Sequence, residues 1–214
     1  MAAPLILAIE SATSCVGCAV GTAGRVIAST HTVQARRHAE ALAPQIQSVL
    51  AEAGLGPRDL DLIAVDVGPG LYTGLRVGIT TARAMAHTLD IPMIPVTSLE
   101  AVAHQANGDV TVAIDARRSE VFHERFIGGQ GDGPAVGPPA ELGPRGTVVG
   151  DGAIEYSAEL AAAGYEVNDS VAPFPLPESV LAIAALRAEK AVGPTAIEPL
   201  YLRGPDAVAK WAAS

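Results

Sequence analysis

The chain has 214 residues, of which 49% are hydrophobic and 17% charged, with a formal net charge of −9. A sizeable buried core is affordable and global disorder is excluded, while 14 basic against 23 acidic residues disfavour nucleic-acid binding as the main role, since phosphate contacts dominate such affinity. No run nears the roughly 18 apolar residues of a membrane span, no signal-peptide pattern opens the chain, and two cysteines make no disulfide framework, so a soluble cytoplasmic protein is expected.

In chain order, residues 5–9 read as a buried strand, 10–14 as a turn, and 15–20 and 25–32 as two further strands of an antiparallel meander. Cys15 and Cys18 lie an odd number of residues apart on one of these strands. Their side chains therefore point to opposite faces, and both are expected to be buried and unpaired. Arg36, Arg37 and His38 then form a small basic patch, matched later by Arg117 and Arg118. Residues 39–53 carry Leu42, Ile46, Val49 and Leu50 at helical spacing, with Pro44 either delaying the helix or bending it. A strand at 62–67, a helix at 74–89, a strand at 93–96 and a short helix at 98–105 complete an RNase H-like order.

The pattern restarts near residue 107. AIESATSCV from Ala8 is echoed by AIDARRSEV from Ala113, with an acid, Glu10 or Asp115, at each strand end. This points to an internal duplication. The second copy is eroded: residues 128–147 read as a Gly/Pro-rich loop, followed by a brief strand at 148–149 and helices at 157–163 and 178–191. The expected architecture is α/β, with two RNase H-like (actin/Hsp70/sugar-kinase, ASKHA) lobes, 1–106 and 107–214, the second reduced.

Between the strand at 62–67 and the helix that follows lies GPGLYTG, residues 68–74. A Walker-type phosphate cradle needs a lysine at the helix start, and Pro69 removes one N–H donor. Arg76 still leaves an anion contact open for the loop residues Gly70, Tyr72 and Thr73, with Thr73 as the expected helix N-cap. Gly74, Gly78, Ala82 and Ala86 recur once per turn on one helix face. A mid-helix glycine costs roughly 1 kcal/mol relative to alanine, so this face is expected to permit close approach of a neighbour.

Several segments, LILAIESATSCVGCAV, GPGLYTGLRVGIT, IPVTSLEAVA, DARRSEVF, VGDGA and PLYLR, together resemble the bacterial TsaB (YeaZ) family over nearly the whole chain. The resemblance implies a non-catalytic scaffold related to TsaD. TsaD, with TsaB and the ATPase TsaE, installs the N6-threonylcarbamoyl group (t6A) on ANN-reading tRNAs. In that family the two helices of the first lobe form the dimer interface. The expected interface residues are Leu42, Ile46, Gly74, Leu75, Gly78, Ala82 and Met85. Gly78→Leu is expected to abolish TsaD binding without unfolding the chain. The implied partners are TsaD, TsaE and, through the complex, tRNA, with a homodimer expected in isolation.

The chain departs from the catalytic relative. The H-x-x-x-H metal pair is replaced by Ser98-Leu-Glu-Ala-Val102, and no metal site is expected. Glu10 and Asp115 occupy the acid positions of an ASKHA ATPase, but a Gly-rich adenosine motif is missing, because Gly128-Gly129 precedes a loop rather than a helix. No resident cofactor and little nucleotide turnover are expected, with nucleotide at the partner interface left open. The alternative is a small ASKHA-type ATPase or sugar-kinase-like enzyme.

Overall fold

The computed structural model describes residues 3–33 and 38–203. The first sheet begins with an antiparallel meander, β1 (Ile6–Glu10), β2 (Cys15–Thr22) and β3 (Arg25–Val33). Then come α1 (His38–Glu52), β4 (Leu62–Asp66), α2 (Tyr72–Leu89), β5 (Met93–Val96) and α3 (Ser98–Ala103). The strand order is β3-β2-β1-β4-β5, with β4 parallel to β1 and Ile9 opposite Val65.

The second sheet repeats this plan. β6 (Val110–Arg117) and β7 (Glu120–Ile127) form a hairpin, extended by β8 (Gln130–Gly131) and β9 (Ala135–Gly137). β10 (Thr147–Val149) lies parallel to β6. It is followed by α4 (Asp151–Glu155), α5 (Ser157–Ala162), β11 (Glu166–Val167) and α6 (Pro177–Ala185). The order β11-β10-β6-β7-β8 again places the first strand centrally, with a hairpin on one side and parallel strands on the other. The fold is two RNase H-like lobes, the second reduced.

Every residue of β1 and β4 is buried, because both faces of the first sheet are covered. Leu7, Ile9, Ile63 and Val65 pack under α1 and α2. On the other face Ile6, Ala8, Leu62 and Ala64 meet Val180, Leu181, Ile183 and Ala184 of α6. The last helix of the second half thus returns to the first sheet. Cys15 and Cys18 are buried and unbridged, and burial pushes both thiols up to about 12.

The differences from the expected elements are local. Residues 128–147 hold β8 and β9, strands of two and three residues paired with β7. Such strands are too short to show a period. The expected helix at 178–191 stops at Ala185. Pro44 sits inside α1 with its ring on the exposed side, where the lost hydrogen bond faces water.

Candidate functional site

Two places merit attention: the crevice between the sheets, and the outer face of α1 and α2. Glu10, at the end of β1, is completely buried, and its Oε1 accepts the Ala12 N–H at 2.8 Å. Beside it, at the end of β4, Asp66 Oδ1 accepts the Gly68 N–H and the Ser98 hydroxyl, both at 2.7 Å. Burial first, and then the neighbouring Asp66, lifts the Glu10 carboxyl well above its usual range. We place a shared proton on Glu10, because Asp66 is the one that collects outside donors.

The second lobe mirrors this with different chemistry. Asp151 Oδ1 accepts the Asp115 N–H at 3.0 Å, and burial pushes the Asp151 carboxyl up to about 6. Asp115 itself closes a turn. Its Oδ1 accepts the Arg117 N–H at 2.8 Å and the Tyr156 hydroxyl at 3.2 Å, and its Oδ2 pairs with Arg117 at 3.0 Å. The crevice against Asp115 and Asp151, closed from the other side by Thr13, Ser14, Gly70 and Leu71, encloses only about 20 Å³. That is room for about one water molecule. Among the described residues no three His, Cys, Asp or Glu side chains are grouped to hold a metal ion. Glu100, in the stretch that replaces the histidine pair, has structural duties. It closes a capping box with Thr97 and pairs with Arg187 at 2.6 Å.

The glycine loop is fastened to the first lobe. Leu71 donates to the Ala12 carbonyl at 2.6 Å, and a Cβ at Gly70 would collide with that same carbonyl oxygen. α2 starts at Tyr72, with Leu71 in the cap position and no side-chain cap. Thr73 is therefore not the N-cap. It lies in the first turn, exposed, like Tyr72 and Arg76. The Arg76 guanidinium lies 4.1 Å above the Tyr72 ring.

The residues expected at an interface are mostly inside this chain. Leu42, Ile46, Leu75 and Ala82 belong to the core under α1 and α2, and Gly74 and Gly78 are buried; only Met85 is half-exposed. A Cβ at Gly74 would strike the Ser11 carbonyl, and one at Gly78 the Ser11 hydroxyl, which already donates to Gly74 O at 2.9 Å. The small-residue face thus serves close approach, as its spacing implies, but to the turn after β1 rather than to a second subunit. This also corrects the expected behaviour of Gly78→Leu, which strikes the fold itself.

What the two helices do present is their other side. α1 exposes Ala43, Pro44, Gln47, Ser48 and Ala51, and α2 exposes Thr73, Thr80, Ala84 and His87. On α1 the exposed acids, Glu40 and Glu52, stand only at the ends, so the middle of its exposed side is uncharged on a chain whose formal net charge is −9, while α2 carries the exposed Arg76 and the half-buried Arg83. A groove of about 370 Å³ opens where the two helices begin, lined by His38, Ala39, Leu71, Tyr72, Thr73 and Val77. His38 Nε2 lies 2.6 Å from the Thr13 carbonyl, which can only accept, so Nε2 carries the hydrogen. Arg36 and Arg37 lie outside the described residues. Sequence reasoning missed Asp66 and Asp151. Asp66 had a signal, an acid ending a buried strand just as Glu10 does, whereas Asp151 follows a three-residue strand and had none.

Fold and crevice together define a two-lobed ASKHA-type protein. The family model described as TsaD, tRNA N6-adenosine threonylcarbamoyltransferase, matches residues 25–140. The tRNA threonylcarbamoyladenosine biosynthesis protein TsaB of Escherichia coli is 33% identical over 92% of this chain and 94% of its own length. An uncharacterized protein of Mycobacterium tuberculosis is 40% identical over 94% of this chain and 93% of its own. YeaZ from Pseudomonas aeruginosa superposes with a TM-score of 0.81 at 28% identity, covering 93% of this chain and 100% of that one. The chain belongs to the TsaB (YeaZ) family. No helix among the described residues is long and apolar enough to cross a membrane.

Proposed function

We propose that this chain is a non-catalytic scaffold subunit in t6A formation on tRNA, working in the cytoplasm. In this reading it binds and activates TsaD together with TsaE and reaches tRNA through the complex. Its lobes divide near residues 106/107, and residues 177–200 return to the first. The observation that supports the non-catalytic reading is the crevice: against Asp115 and Asp151 it encloses only about 20 Å³, and both acids accept hydrogen bonds from the chain's own backbone. Family membership supports the pathway, since the E. coli relative is named for threonylcarbamoyladenosine biosynthesis.

Docking is assigned to the outer face of α1 and α2. The uncharged middle of α1 suits the core of an interface, where charged residues are depleted, with Arg76 and Arg83 of α2 beside it. The buried set Leu42, Ile46, Gly74, Leu75, Gly78 and Ala82 supports that face from beneath, Met85 flanks it, and the same face serves a homodimer in isolation. Gly70, Tyr72, Thr73 and Arg76 border it.

The test uses Ala84→Arg and Ala51→Arg, both at exposed helix positions. Each is expected to weaken TsaD binding at least tenfold by calorimetry, about 1.4 kcal/mol, while the thermal midpoint stays unchanged. Undiminished affinity in both variants refutes the docking face. Micromolar ATP binding with Mg²⁺-dependent hydrolysis by the isolated chain would refute the non-catalytic reading.

A further inference from the structure

Seven residues near the C-terminal end, 197–203, touch three parts of the molecule in turn. Ile197 is buried in the core under α1 and α2. The Leu200 N–H donates to the Val67 carbonyl at 2.7 Å, and a Cβ at Gly68 would come within 3.1 Å of the Leu200 oxygen. Gly68 has φ of 101°, so loop and strap fit together only with glycine there. Tyr201 stacks on Tyr72 with ring centroids 5.1 Å apart, and Arg76 hydrogen-bonds to its side chain. Leu202 packs on the core of the second sheet. Arg203 donates to the Ala116 carbonyl at 3.0 Å, pairs with Glu120, and lies 6.0 Å from the Phe122 ring centroid.

We propose that residues 197–203 are a latch between the sheets. The latch holds the glycine loop and the first turn of α2 in place and keeps the crevice shut. The inner side of the loop has its own ties, from Leu71 to Ala12 and from Ser98 to Gly68. Its outer side, and a helix start that no side chain caps, depend on Leu200 and Tyr201. The two anchors are unequal: Ile197 is fully enclosed, whereas the Arg203–Glu120 pair is partly in water. A partly exposed pair contributes little, so the latch opens from the Arg203 end. This inference goes beyond the docking reading and does not rest on it.

Hydrogen–deuterium exchange on the isolated full chain tests it. Tyr201→Ala is expected to speed exchange at the Leu71 and Leu200 amides roughly tenfold or more, and Arg203→Gln by a smaller factor of about two to five, with β1 and β4 amides unchanged. Tyr201→Phe keeps the stack but loses the hydroxyl, and should fall between. If exchange at 68–74 matches the parent protein in both loss variants, the latch is overturned. It is equally overturned if exchange accelerates throughout β1 and β4, because the contact then supports only global stability.

Discussion

In the first sheet the adjacent parallel strands β1 and β4 end in Glu10 and Asp66; in the second, β6 carries Asp115 near its end and β10 runs into Asp151. The positions correspond, but the surroundings do not. The first pair is sealed beneath the glycine loop, with the Glu10 carboxyl unable to ionise in its ordinary range. The second is half-open, and Asp115 is occupied by Arg117 and Tyr156. The helices differ likewise. Between its third and fourth strands the first half has a 15-residue helix, α1; there the second half has an extended segment with one turn of 3₁₀ helix, Pro139–Glu141. One topology can therefore be kept while burial and helix length reassign each half. The first becomes a rigid block with a helical face, the second a smaller buttress.

The largest predicted difference contrasts a closely packed glycine of the first half with an open one of the second. Gly78→Leu drives a side chain into Ser11 and Ile9, and should cost at least the upper end of the roughly 1–3 kcal/mol typical of overpacking. Gly146→Leu, on the exposed approach to β10, meets nothing within 4 Å and should stay within about 0.5 kcal/mol of the parent. Urea denaturation measures both. Equal losses would mean that the Gly146 site is enclosed as closely as the Gly78 site.

That prediction also marks what was legible beforehand. The meander, the helix stripe on α1 and the repeat of strand-end acids could all be read, because alternation and helical spacing report burial directly. The four-residue spacing of Gly74, Gly78, Ala82 and Ala86 correctly announced a close neighbour. It could not say which one, since spacing encodes distance and not identity. Ser11 lies 63 residues from Gly74 in the chain and offers no local signal. The return of α6 to the first sheet was hidden for the same reason. Its near-continuous burial records two covered sides without naming what covers them. β8 and β9 were lost among glycines and prolines that elsewhere mark loops.

The acid pairs give the next difference, in pH dependence. Glu10 is raised well above 4.5 in the folded chain, so the fold holds a proton that the unfolded chain releases. Its contribution is complete at low pH and declines as pH climbs toward the folded-state value. Asp151 behaves with the same sign, but its window runs from 3.8 to about 6. A shift of that size corresponds to at most about 3 kcal/mol. Glu10→Gln should therefore flatten the fall in stability that begins above about pH 4.5, whereas Asp151→Asn should flatten it only between pH 3.8 and about 6. Urea midpoints across the range decide the matter. If Asp151→Asn alters the slope above pH 6, or Glu10→Gln leaves the whole fall above pH 4.5 unchanged, the contrast in burial is wrong.

The smallest predicted difference lies in the turns after β1 and β6, where Ser14 and Ser119 hold equivalent places in the repeated segment. Arg117, Arg118 and Ser119 have φ of 62°, 59° and 59°, a left-handed run that L-residues adopt at a cost, whereas Ser14 is not among the residues with positive φ. Glycine relieves that cost where φ is positive and adds only chain entropy where it is not. Ser119→Gly should therefore stabilise by about 0.5–1 kcal/mol, and Ser14→Gly should destabilise by a similar amount. Opposite shifts in thermal midpoint are expected. Shifts of the same sign would mean that the two turns share one backbone conformation, and that the second copy has diverged less than its acids and its shortened strands indicate.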